Sequence, residues 1–533
     1  MSTTATGSTG SSDSIAGFDS GEIEFALSRT NTPLAWLMRH AHEVRDQVAL
    51  RFEGASMTYG QLAERVRHVA SVLAELGVGR GDRVLLLSSN RPEFAHVTLA
   101  TWYLGAIIVP VNFRLAAGEV SYLVGNSEPS AVLASSRLMP VARAAMQQAG
   151  VDVPLWCLED DGDAGAPSLA TAPAGAPVPP VVTAPQDDAA IMYTSGTTGL
   201  PKGAVLTHGN FASTAMRTAR SWMSDETDTV MIVSPLFHIA AMCAWLAHFS
   251  VGATALIMPS VTFDATGVLD AMEAEQVTTT FMVPAQWQEL VDEPRVTQRD
   301  LRLRFMSWGA APATVALLRR MLDTFPDAGI TAAFGQTETT AAGVSLQAAD
   351  SFRKVGSVGK AIPSFSIQVV DAMMNPVDPG EVGEIVYRGP GVMSRYWRDE
   401  AATAEAFRGG WFHSGDLVRV DDEGFLYVVD RIKDMIISGG ENIYCAEVEN
   451  VIADHPKVVH VAVVGRPDEK WGEVPVAVII PLDPTDPPTL PEIREFCDSR
   501  LARYKHPREV VIRSEYPRSG TGKILKSVLR EQI

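Results

Sequence analysis

Strand-like apolar runs alternate with helix-like segments along the chain up to about Trp308. Residues 82–87 end in an apolar run after the amphipathic segment 56–76, and residues 106–111 repeat this pattern after the helix-like segment 92–104. Strands that are apolar on both faces need cover on both faces, which parallel strands joined by helices provide. The pattern therefore predicts an α/β fold with two doubly covered sheets, parallel or mixed.

The length of 533 residues exceeds what one hydrophobic core supports, so at least two domains are expected. Residues 1–20 are rich in Ser, Thr and Gly and are predicted to be a disordered tail. We expect a large N-terminal domain over 21–430, in which short strands and turns predict a β subdomain over 365–430. A hinge over 431–434 and a small α+β C-terminal domain over 435–533 complete the predicted organisation.

Composition and charge exclude several kinds of partner. The formal net charge of -19 disfavours nucleic acid and anionic membrane surfaces. Four widely spaced cysteines, without a CxxC pair, predict neither a structural zinc site nor a disulfide framework. Residues 232–258 carry no Asp, Glu, Lys or Arg, but Pro235 and Gly252 favour a loop, a buried helix and a strand over a membrane span. We therefore expect a cytoplasmic protein.

Residues 193–203 combine hydroxyl side chains, three glycines and a lysine directly after an apolar run. Such a loop can hold phosphate through backbone N–H groups, hydroxyls and one ammonium group. The spacing is not that of the Walker loop, because only two residues separate Gly199 from Lys202 and Gly203 follows the lysine. An ordinary surface turn remains the alternative for this segment on its own. The predicted phosphate contacts are Thr194, Ser195, Gly196, Thr197, Thr198, Gly199 and Lys202.

Three further segments fit a nucleotide site. Residues 334–338 place an aromatic ring, a glycine, a hydroxyl and a carboxylate together, which is enough to stack a base and hold Mg²⁺. Residues 411–416 end in an acid beyond a glycine, which suits the two ribose hydroxyls. Residues 517–523 form a glycine-rich loop that ends in Lys523. Each segment alone also fits a plain turn or a solvated lysine.

In this order the motifs resemble those of the acyl-adenylate-forming superfamily, which includes acyl-CoA synthetases, aryl-CoA ligases, beetle luciferases and peptide-synthetase adenylation domains. The resemblance covers residues from about 32 to 529. It implies that a carboxylate attacks the α-phosphate of MgATP to give an acyl-adenylate and pyrophosphate, and that a thiol then displaces AMP. The implied cofactors and co-substrates are ATP, Mg²⁺ and coenzyme A.

The resemblance also implies residue roles at the nucleotide. Thr337 would contact the α-phosphate, Lys523 would stabilise the charge of the first transition state, and Glu338 would bind Mg²⁺ with Thr198 as a second contact. Phe334 would stack on adenine, and the same pocket would be lined by Gly309, Ala310, Ala311 and Pro312. Gly335 would be a further cofactor-binding residue, at which the backbone approaches the ligand closely. Asp416 and Arg431 would hold the ribose.

The C-terminal domain would rotate about Lys433, and Gly439 and Gly440 would shape a tunnel for the pantetheine arm. Two positions depart from the family pattern, since Phe334 replaces a tyrosine and Cys445 replaces a proline. Neither departure threatens the expected chemistry.

The resemblance places the acyl pocket on segments that supply Phe237, His238, Met242, Phe281, Met282 and Trp308. This lining is apolar and aromatic, and no Asp is placed to pair with an amino group, so an amino-acid substrate is disfavoured. His238 is expected to border the carboxylate or to cap a loop. Trp308 at the pocket floor favours a short, medium-chain or aromatic acid over a very long chain, and a medium-chain or aromatic acid is the expected substrate. Free coenzyme A is the expected acceptor, in a monomer or homodimer. The alternative acceptors are a separate carrier protein and a non-thiol nucleophile. The alternative function for the whole protein is a nucleotide-binding regulator without catalysis.

Overall fold

The computed structural model describes residues 20–160, 165–194, 200–260, 263–311, 313–439, 441–498, 500–518 and 524–533. These residues form fifteen α-helices and 25 strands. The helices are α1 (Ser20–Ser28), α2 (Pro33–Glu43), α3 (Tyr59–Glu75), α4 (Pro92–Tyr103), α5 (Ala117–Ser127), α6 (Met139–Ala149), α7 (His208–Ser221), α8 (Ile239–Ser250), α9 (Ala265–Ala274), α10 (Pro284–Asp292), α11 (Val315–Thr324), α12 (Glu400–Ala406), α13 (Cys445–Ala453), α14 (Leu490–Asp498) and α15 (Lys526–Glu531).

The first sheet contains nine of the described strands in the order β15-β14-β13-β12-β11-β9-β10-β1-β2. Its strands are β1 (Val48–Phe52), β2 (Ala55–Thr58), β9 (Thr229–Ile232), β10 (Thr254–Ile257), β11 (Thr279–Met282), β12 (Phe305–Gly309), β13 (Gly329–Phe334), β14 (Val344–Leu346) and β15 (Lys360–Ala361). The six strands from β13 to β1 in this order are parallel to their neighbours, and antiparallel strands flank them.

The second sheet contains seven described strands in the order β18-β8-β7-β4-β3-β5-β6. They are β3 (Arg83–Leu87), β4 (Ile107–Val111), β5 (Ala131–Ala134), β6 (Leu155–Cys157), β7 (Asp188–Thr194), β8 (Lys202–Thr207) and β18 (Arg395–Tyr396). The pair β7–β8 is antiparallel, so the predicted phosphate loop joins the two strands of a hairpin.

Alternating side chains explain why both sheets are covered on both faces. In β3, Val84 and Leu86 belong to the core shared by the two sheets, whereas Leu85 and Leu87 pack with α5 and α6 on the opposite face. In β9, Ile232 faces the shared core and Met231 faces the core beneath α9, α10 and α11. The predicted α/β fold with two doubly covered mixed sheets is confirmed.

Two smaller sheets follow. The antiparallel third sheet has the order β16-β17-β19-β20, with β16 (Ser366–Val370), β17 (Val382–Arg388), β19 (Phe412–Val420) and β20 (Leu426–Arg431). The fourth sheet has the order β22-β21-β24-β23, with β25 beside β24, and carries helices from its own segment. Its strands are β21 (Ile436–Ser438), β22 (Glu441–Ile443), β23 (Val458–Asp468), β24 (Gly472–Pro481) and β25 (Glu509–Ile512). The predicted β subdomain and small α+β unit are therefore both present.

Several element boundaries differ from the sequence predictions by one to three residues, and two of them concern the first helices. The helix expected from residue 56 starts at Tyr59, because the preceding residues form β2 and Thr58 caps the helix. Helix α1 begins at Ser20, the last residue assigned to the tail, and residues 1–19 lie outside the described part. Across the residues that are described, none of the helices is both long and apolar enough to cross a lipid bilayer.

Candidate active site

A cavity of about 1190 Å³ lies at the carboxyl ends of the parallel strands of the first sheet. The segments that follow β9, β11, β12 and β13 line it, together with residues of the β7–β8 hairpin. Ligands of open α/β sheets bind in this position, because side chains and free backbone N–H groups emerge there from a rigid scaffold. The cavity is also lined by residues from the C-terminal part of the chain, namely residues 431–433 and, from the unit of the fourth sheet, Arg518.

The base of the predicted phosphate loop lies at this cavity. Thr194 ends β7 and pairs with Lys202, the first residue of β8, and both line the cavity. The Lys202 ammonium lies 5.3 Å from the centre of the Tyr396 ring. Ser195 to Gly199, including Thr198, lie outside the described residues, as do Pro312, Gly440 and Lys523.

Glu338 is the buried acid of the cavity, with 5% of its surface exposed. It lies in a short 3-10 turn, Thr337–Thr339, directly after β13. The hydroxyls of Tyr396 and Thr194 donate to its Oε1 atom at 3.0 and 3.2 Å. Burial raises the pKa of this carboxyl, and the two hydroxyl donors oppose part of that effect. Thr337 lines the same wall.

Gly335 precedes this turn, at a position where the neighbouring atoms leave no room for a side chain. A Cβ atom at this position would lie 2.6 Å from the Ala341 carbonyl oxygen and 2.6 Å from the Thr339 hydroxyl. The glycine is therefore needed for close packing of the protein itself, in addition to any contact with a ligand. Ala310 and Ala311 line the cavity, whereas Gly309 lies against β13 and the partly buried Phe334 packs on the shared core.

The predicted ribose pair forms an ion pair across the third sheet. Asp416 on β19 pairs with Arg431 at the end of β20, and the two side chains approach to 2.9 Å. Asp416 is buried, and of the two only Arg431 lines the cavity. Glu384 on β17 holds the start of β19 in place. One of its carboxylate oxygens accepts a hydrogen bond from the Gly415 N–H at 2.9 Å, and the other contacts His413 Nδ1 at 2.8 Å.

The predicted hinge residue, Lys433, lines the cavity two residues after β20. Burial is the main cause that lowers the pKa of its ammonium group. Arg530 of α15 donates to the Lys433 carbonyl oxygen at 3.1 Å and to Asp434 at 3.2 Å. Arg518 and Ile524, which flank the stretch that contains Lys523, pair with each other through an antiparallel bridge.

Gly439 adopts a left-handed backbone conformation, with φ of +61°. A Cβ atom here would lie 2.7 Å from the Trp471 ring, and the Gly439 N–H donates to the Trp471 carbonyl oxygen at 2.7 Å. Both the backbone angle and the close ring select for glycine at this position.

The acyl part of the cavity agrees with the predicted segments but differs in the residues that face it. His238 and Phe281 line the cavity as predicted, whereas Phe237, Met242, Met282 and Trp308 do not. Met282 and Trp308 belong to the core on the opposite face of the first sheet. Since side chains alternate along a strand, the position beside Phe281 points away from the cavity. Trp308 therefore does not form the pocket floor.

Helix periodicity explains the differences on α8. Ile239, Ala240, Cys243 and Ala244 form one face of the helix and line the cavity, whereas Met242 lies in the core with no exposed surface. Phe237 precedes the helix and packs edge-on against Phe113. The segments were identified by motif, but the inward face depends on the register of each element.

His238 lies at the start of α8, with its ring 4.1 Å from the Phe237 ring. Its Nε2 atom is buried and has no hydrogen-bond partner within the described structure. Burial lowers the pKa of the imidazole to about 4, and nearby Arg114 acts in the same direction. The side chain is therefore neutral near pH 7.

Sequence reasoning did not identify several residues that line the cavity. Tyr396 lies on β18, a strand of only two residues that pairs with β8, and no periodic pattern marks it. One face of α7 supplies Arg217, Thr218 and Ser221, and Trp222, the residue that caps the end of this helix, also lines the cavity. The amphipathic pattern of α7 marks its buried face, but it cannot show that part of this face lines a cavity.

The end of the cavity around Glu338 carries groups that suit a magnesium-bound nucleotide. Mg²⁺ is usually held by one or two carboxylates together with substrate phosphates, instead of a cage of protein ligands. Glu338 is one such buried carboxylate, and the described residues contain no cluster of three or more His, Cys, Asp or Glu that could form a cage. Thr194, Lys202 and Arg431 add hydroxyl and cationic groups that suit phosphate and ribose.

Comparisons with known proteins agree with this geometry. Residues 37–397 match the AMP-binding enzyme family, and residues 447–523 match the AMP-binding enzyme C-terminal domain. An indoleacetate–CoA ligase of Aromatoleum aromaticum is 37% identical, over 93% of this chain and 97% of the relative. A long-chain fatty-acid–CoA ligase of Mycobacterium tuberculosis is 38% identical, over 94% and 98%.

A solved structure extends the comparison to the fold. The o-succinylbenzoate coenzyme A synthetase of Bacillus subtilis, in complex with ATP and magnesium ion, superposes with a TM-score of 0.83 at 31% identity, over 92% of this chain and 98% of that chain. Because the match spans both parts of the molecule, the chain belongs to the AMP-binding enzyme family, as an acyl-CoA synthetase of the acyl-adenylate-forming superfamily.

Proposed function

We propose that this enzyme activates a medium-chain or aromatic carboxylic acid, with ATP at the Glu338 end of the cavity and the acyl group at the Phe281 end. As an acid–thiol ligase of this family it uses ATP, Mg²⁺ and coenzyme A. The observation that carries the proposal is one continuous cavity, which joins a buried carboxylate with cationic neighbours to a wall of apolar side chains. The carboxylate of an acid whose chain fills one end can therefore reach the α-phosphate of ATP bound at the other end.

In the first half-reaction, a carboxylate oxygen of the substrate attacks the α-phosphorus of ATP. The new bond joins carboxylate oxygen to phosphorus, the bond from the α-phosphorus to the bridging oxygen breaks, and pyrophosphate leaves with the electron pair. In the second half-reaction, the CoA sulfur attacks the acyl carbonyl carbon, loses its proton, and displaces AMP as the leaving group. The products are the thioester and AMP.

We assign the residues of the nucleotide end as follows. Glu338 holds Mg²⁺ with Thr198, and Thr194 and Tyr396 fix the carboxylate through hydrogen bonds of 3.2 and 3.0 Å. When bound, the metal neutralises charge on the phosphate oxygens. Lys202 and the loop 195–199 contact the β- and γ-phosphates, and Thr337 contacts the α-phosphate. Asp416 and Arg431 together hold the ribose: Arg431 lines the cavity, and the ion pair between the two side chains fixes their orientation.

We further propose that Lys523 stabilises the charge that develops between the carboxylate and the α-phosphate. Arg518, which pairs with Ile524, lines the cavity and supports an approach of this loop to the reacting atoms. Rotation about Lys433 would then withdraw the loop and present Gly439 and Gly440 to the pantetheine arm.

The proposed acid class depends on the walls of the acyl end. Phe281 and Trp222 supply aromatic surfaces, while Ile239 and Ile362 supply aliphatic ones. The 37% identity to an indoleacetate–CoA ligase supports an aromatic acid. The relative named for long-chain fatty acids is similarly close, so the experiment includes both series.

The test is ATP–pyrophosphate exchange across straight-chain acids of increasing length and aryl-substituted short acids. Products are then identified by mass with and without coenzyme A. We expect the highest exchange rates with medium-chain or aryl acids, and CoA thioesters as products. Exchange that is fastest with acids of sixteen or more carbons contradicts the proposed acid class. Exchange without thioester formation would favour a carrier protein or a non-thiol nucleophile as the acceptor.

A further inference from the structure

A buried arginine lies beside the acyl end of the cavity. Arg217 on α7 lines the cavity and has only 8% of its surface exposed. The cavity-lining residues Thr218 and Ser221 lie on the same side of the helix. Three residues along the chain, Arg220 is exposed to solvent. The buried position is thus specific to one of two neighbouring arginines.

The hydrogen bonds of Arg217 are incomplete. Its Nη2 atom donates to the Thr214 hydroxyl at 2.8 Å and to the Thr340 carbonyl oxygen at 3.4 Å. The Nε and Nη1 atoms are buried and have no hydrogen-bond partner in the described structure. The guanidinium carbon lies 4.6 Å from the centre of the Phe365 ring, which stabilises a cation without neutralising it.

The guanidinium also has no counter-ion among the residues that the structure describes. Although the chain has 63 acidic residues, no carboxylate of the described residues forms an ion pair with Arg217. A thiolate at Cys243 would favour the charged form of Arg217. Burial, however, raises the pKa of the Cys243 thiol to about 12, so this thiol is neutral near pH 7 and does not act as a counter-ion. Burial lowers the pKa of Arg217 to about 10, which leaves the arginine protonated.

We propose that Arg217 binds a second carboxylate of the acid substrate, at the end of the molecule distant from the reacting carboxylate. This inference rests on the proposed function and names the substrate class as dicarboxylic acids of medium length, with a straight or aryl-containing chain. The substrate would supply the counter-ion that the described part of the chain does not provide.

The energetic argument concerns the unpaired charge. A buried ion without a partner is destabilising, and an apolar acyl chain beside it would leave that destabilisation in place. A carboxylate can accept two parallel hydrogen bonds from a guanidinium. The contact with Thr340 is long, so exchanging it for a charged acceptor loses little. Thr218 and Ser221 provide hydroxyl groups along the same wall, which suits a polar end of the substrate.

The test compares matched acids in two series. One series pairs octanoate with octanedioate, and the other pairs 3-phenylpropanoate with 3-(4-carboxyphenyl)propanoate. We measure kcat/KM for CoA thioester formation and take the ratio of diacid to monoacid, which cancels any uniform loss of activity. The proteins are the wild type, Arg217→Met, Arg217→Lys and the exposed control Arg220→Met.

The wild type should prefer the diacid in at least one series. Arg217→Met should lower the ratio by about 10- to 100-fold, as expected for loss of a hydrogen-bonded charged partner. Arg217→Lys should keep part of the preference because it keeps the charge, and Arg220→Met should keep all of it. These results would support the inference.

A wild-type preference for the monoacid in both series would overturn the inference, and so would an unchanged ratio in Arg217→Met. Because activation of the monoacids is measured in the same experiment, either result can occur while the proposed function holds. Failure to activate any of the four acids would contradict the proposed function and the inference with it. If Arg217→Met does not fold, Arg217→Lys takes its place in the test. The inference is then overturned if the wild type shows no preference for the diacid and Arg217→Lys has the same diacid-to-monoacid ratio in both series.

Discussion

The two ends of the cavity differ in how completely their polar groups are paired. At the nucleotide end, Glu338 accepts hydrogen bonds from Thr194 and Tyr396, and Asp416 pairs with Arg431. At the acyl end, His238 Nε2 and two nitrogen atoms of Arg217 have no partner within the described residues. The first end is organised before any ligand binds, whereas the second leaves donors unpaired.

This difference suggests a division between common and specific contacts. ATP is the same in every turnover, so a preorganised network lowers the cost of binding it and of stabilising its transition state. The acid differs between members of such a family, and unpaired polar groups beside a cavity are satisfied only by a substrate of matching chemistry. Changes at the nucleotide end should therefore affect all acids equally, and changes at the acyl end should affect the ratio between acids.

The largest effect is expected for Lys523→Ala. Loss of the ammonium group should slow adenylation by about 10²–10³-fold, by analogy with removal of one donor to a developing oxyanion. The factor should be the same for every acid, and thioester formation from a supplied acyl-adenylate should be affected far less. Single-turnover measurements of the two half-reactions provide the check. Equal losses in both half-reactions would contradict the role proposed for Lys523.

The second prediction concerns Glu338→Gln. Loss of the metal-binding carboxylate should weaken activation by Mg²⁺ about 100-fold, at the upper end of what disruption of a metal site's supporting residues costs. The concentration of Mg²⁺ that gives half-maximal exchange is the measured quantity. Glu338→Asp, which keeps the carboxylate on a shorter side chain, should retain part of the activation. An unchanged Mg²⁺ requirement in Glu338→Gln would remove Glu338 from the metal site.

Glu338→Gln should also change the free energy of unfolding of the ligand-free protein. Because the folded-state pKa of Glu338 is raised, the ionised carboxylate destabilises the ligand-free protein at a pH above the ordinary value for Glu. Replacement by neutral Gln should stabilise the ligand-free protein by about 1 kcal/mol near pH 7. This gain should disappear in acid, where Glu338 of the wild type is also neutral. Chemical denaturation at pH 7 and pH 4 measures both values.

At the acyl end, Ala240→Phe should change the choice of acid. The new ring would project from the lining face of α8 and shorten the acyl cavity. We expect kcat/KM to fall about 10-fold for an aryl or eight-carbon acid and to remain unchanged for acetate or propanoate. The KM for ATP is the internal control and should stay constant. A uniform loss across all acids would contradict the separation of the two ends.

The smallest effect is expected for Tyr396→Phe. This change removes one donor to Glu338 and keeps the ring that lies beside the Lys202 ammonium. Adenylation should fall about 3- to 10-fold, the usual range for one hydrogen bond, with a matching rise in the Mg²⁺ requirement. Tyr396→Leu, which also removes the ring, should lose more. If both variants match the wild type, Tyr396 does not position the metal site.

The fold could be predicted to a large extent because its signals are local in the chain. The apolar runs of β3 and β4 and the helix pattern of α4 show the alternation that leads to covered parallel sheets. Boundaries were less certain, as at Ser56, where a short edge strand precedes the cap of α3. Strands of two residues, such as β18, carry no period and could not be predicted.

The residues predicted for the nucleotide end could be proposed from the sequence because they follow one another in short motifs. Thr194 and Lys202 flank the loop of the β7–β8 hairpin, and Thr337 and Glu338 lie in the short turn after β13, so each motif brings its residues to the same part of the cavity. Their roles remain predictions that the variants above will check. The sequence by itself thus determined the fold class and the family.

Only the tertiary structure decided which side chains face the acyl group. Trp308 and Met282 point to the opposite face of their sheet, while Arg217 and Trp222 reach the cavity from a helix about sixty to ninety residues away in the chain. A change of one residue in strand register reverses the face, and the rotation of a helix against its sheet is set by packing of the whole core. Acid specificity therefore depends on long-range packing that no local pattern records.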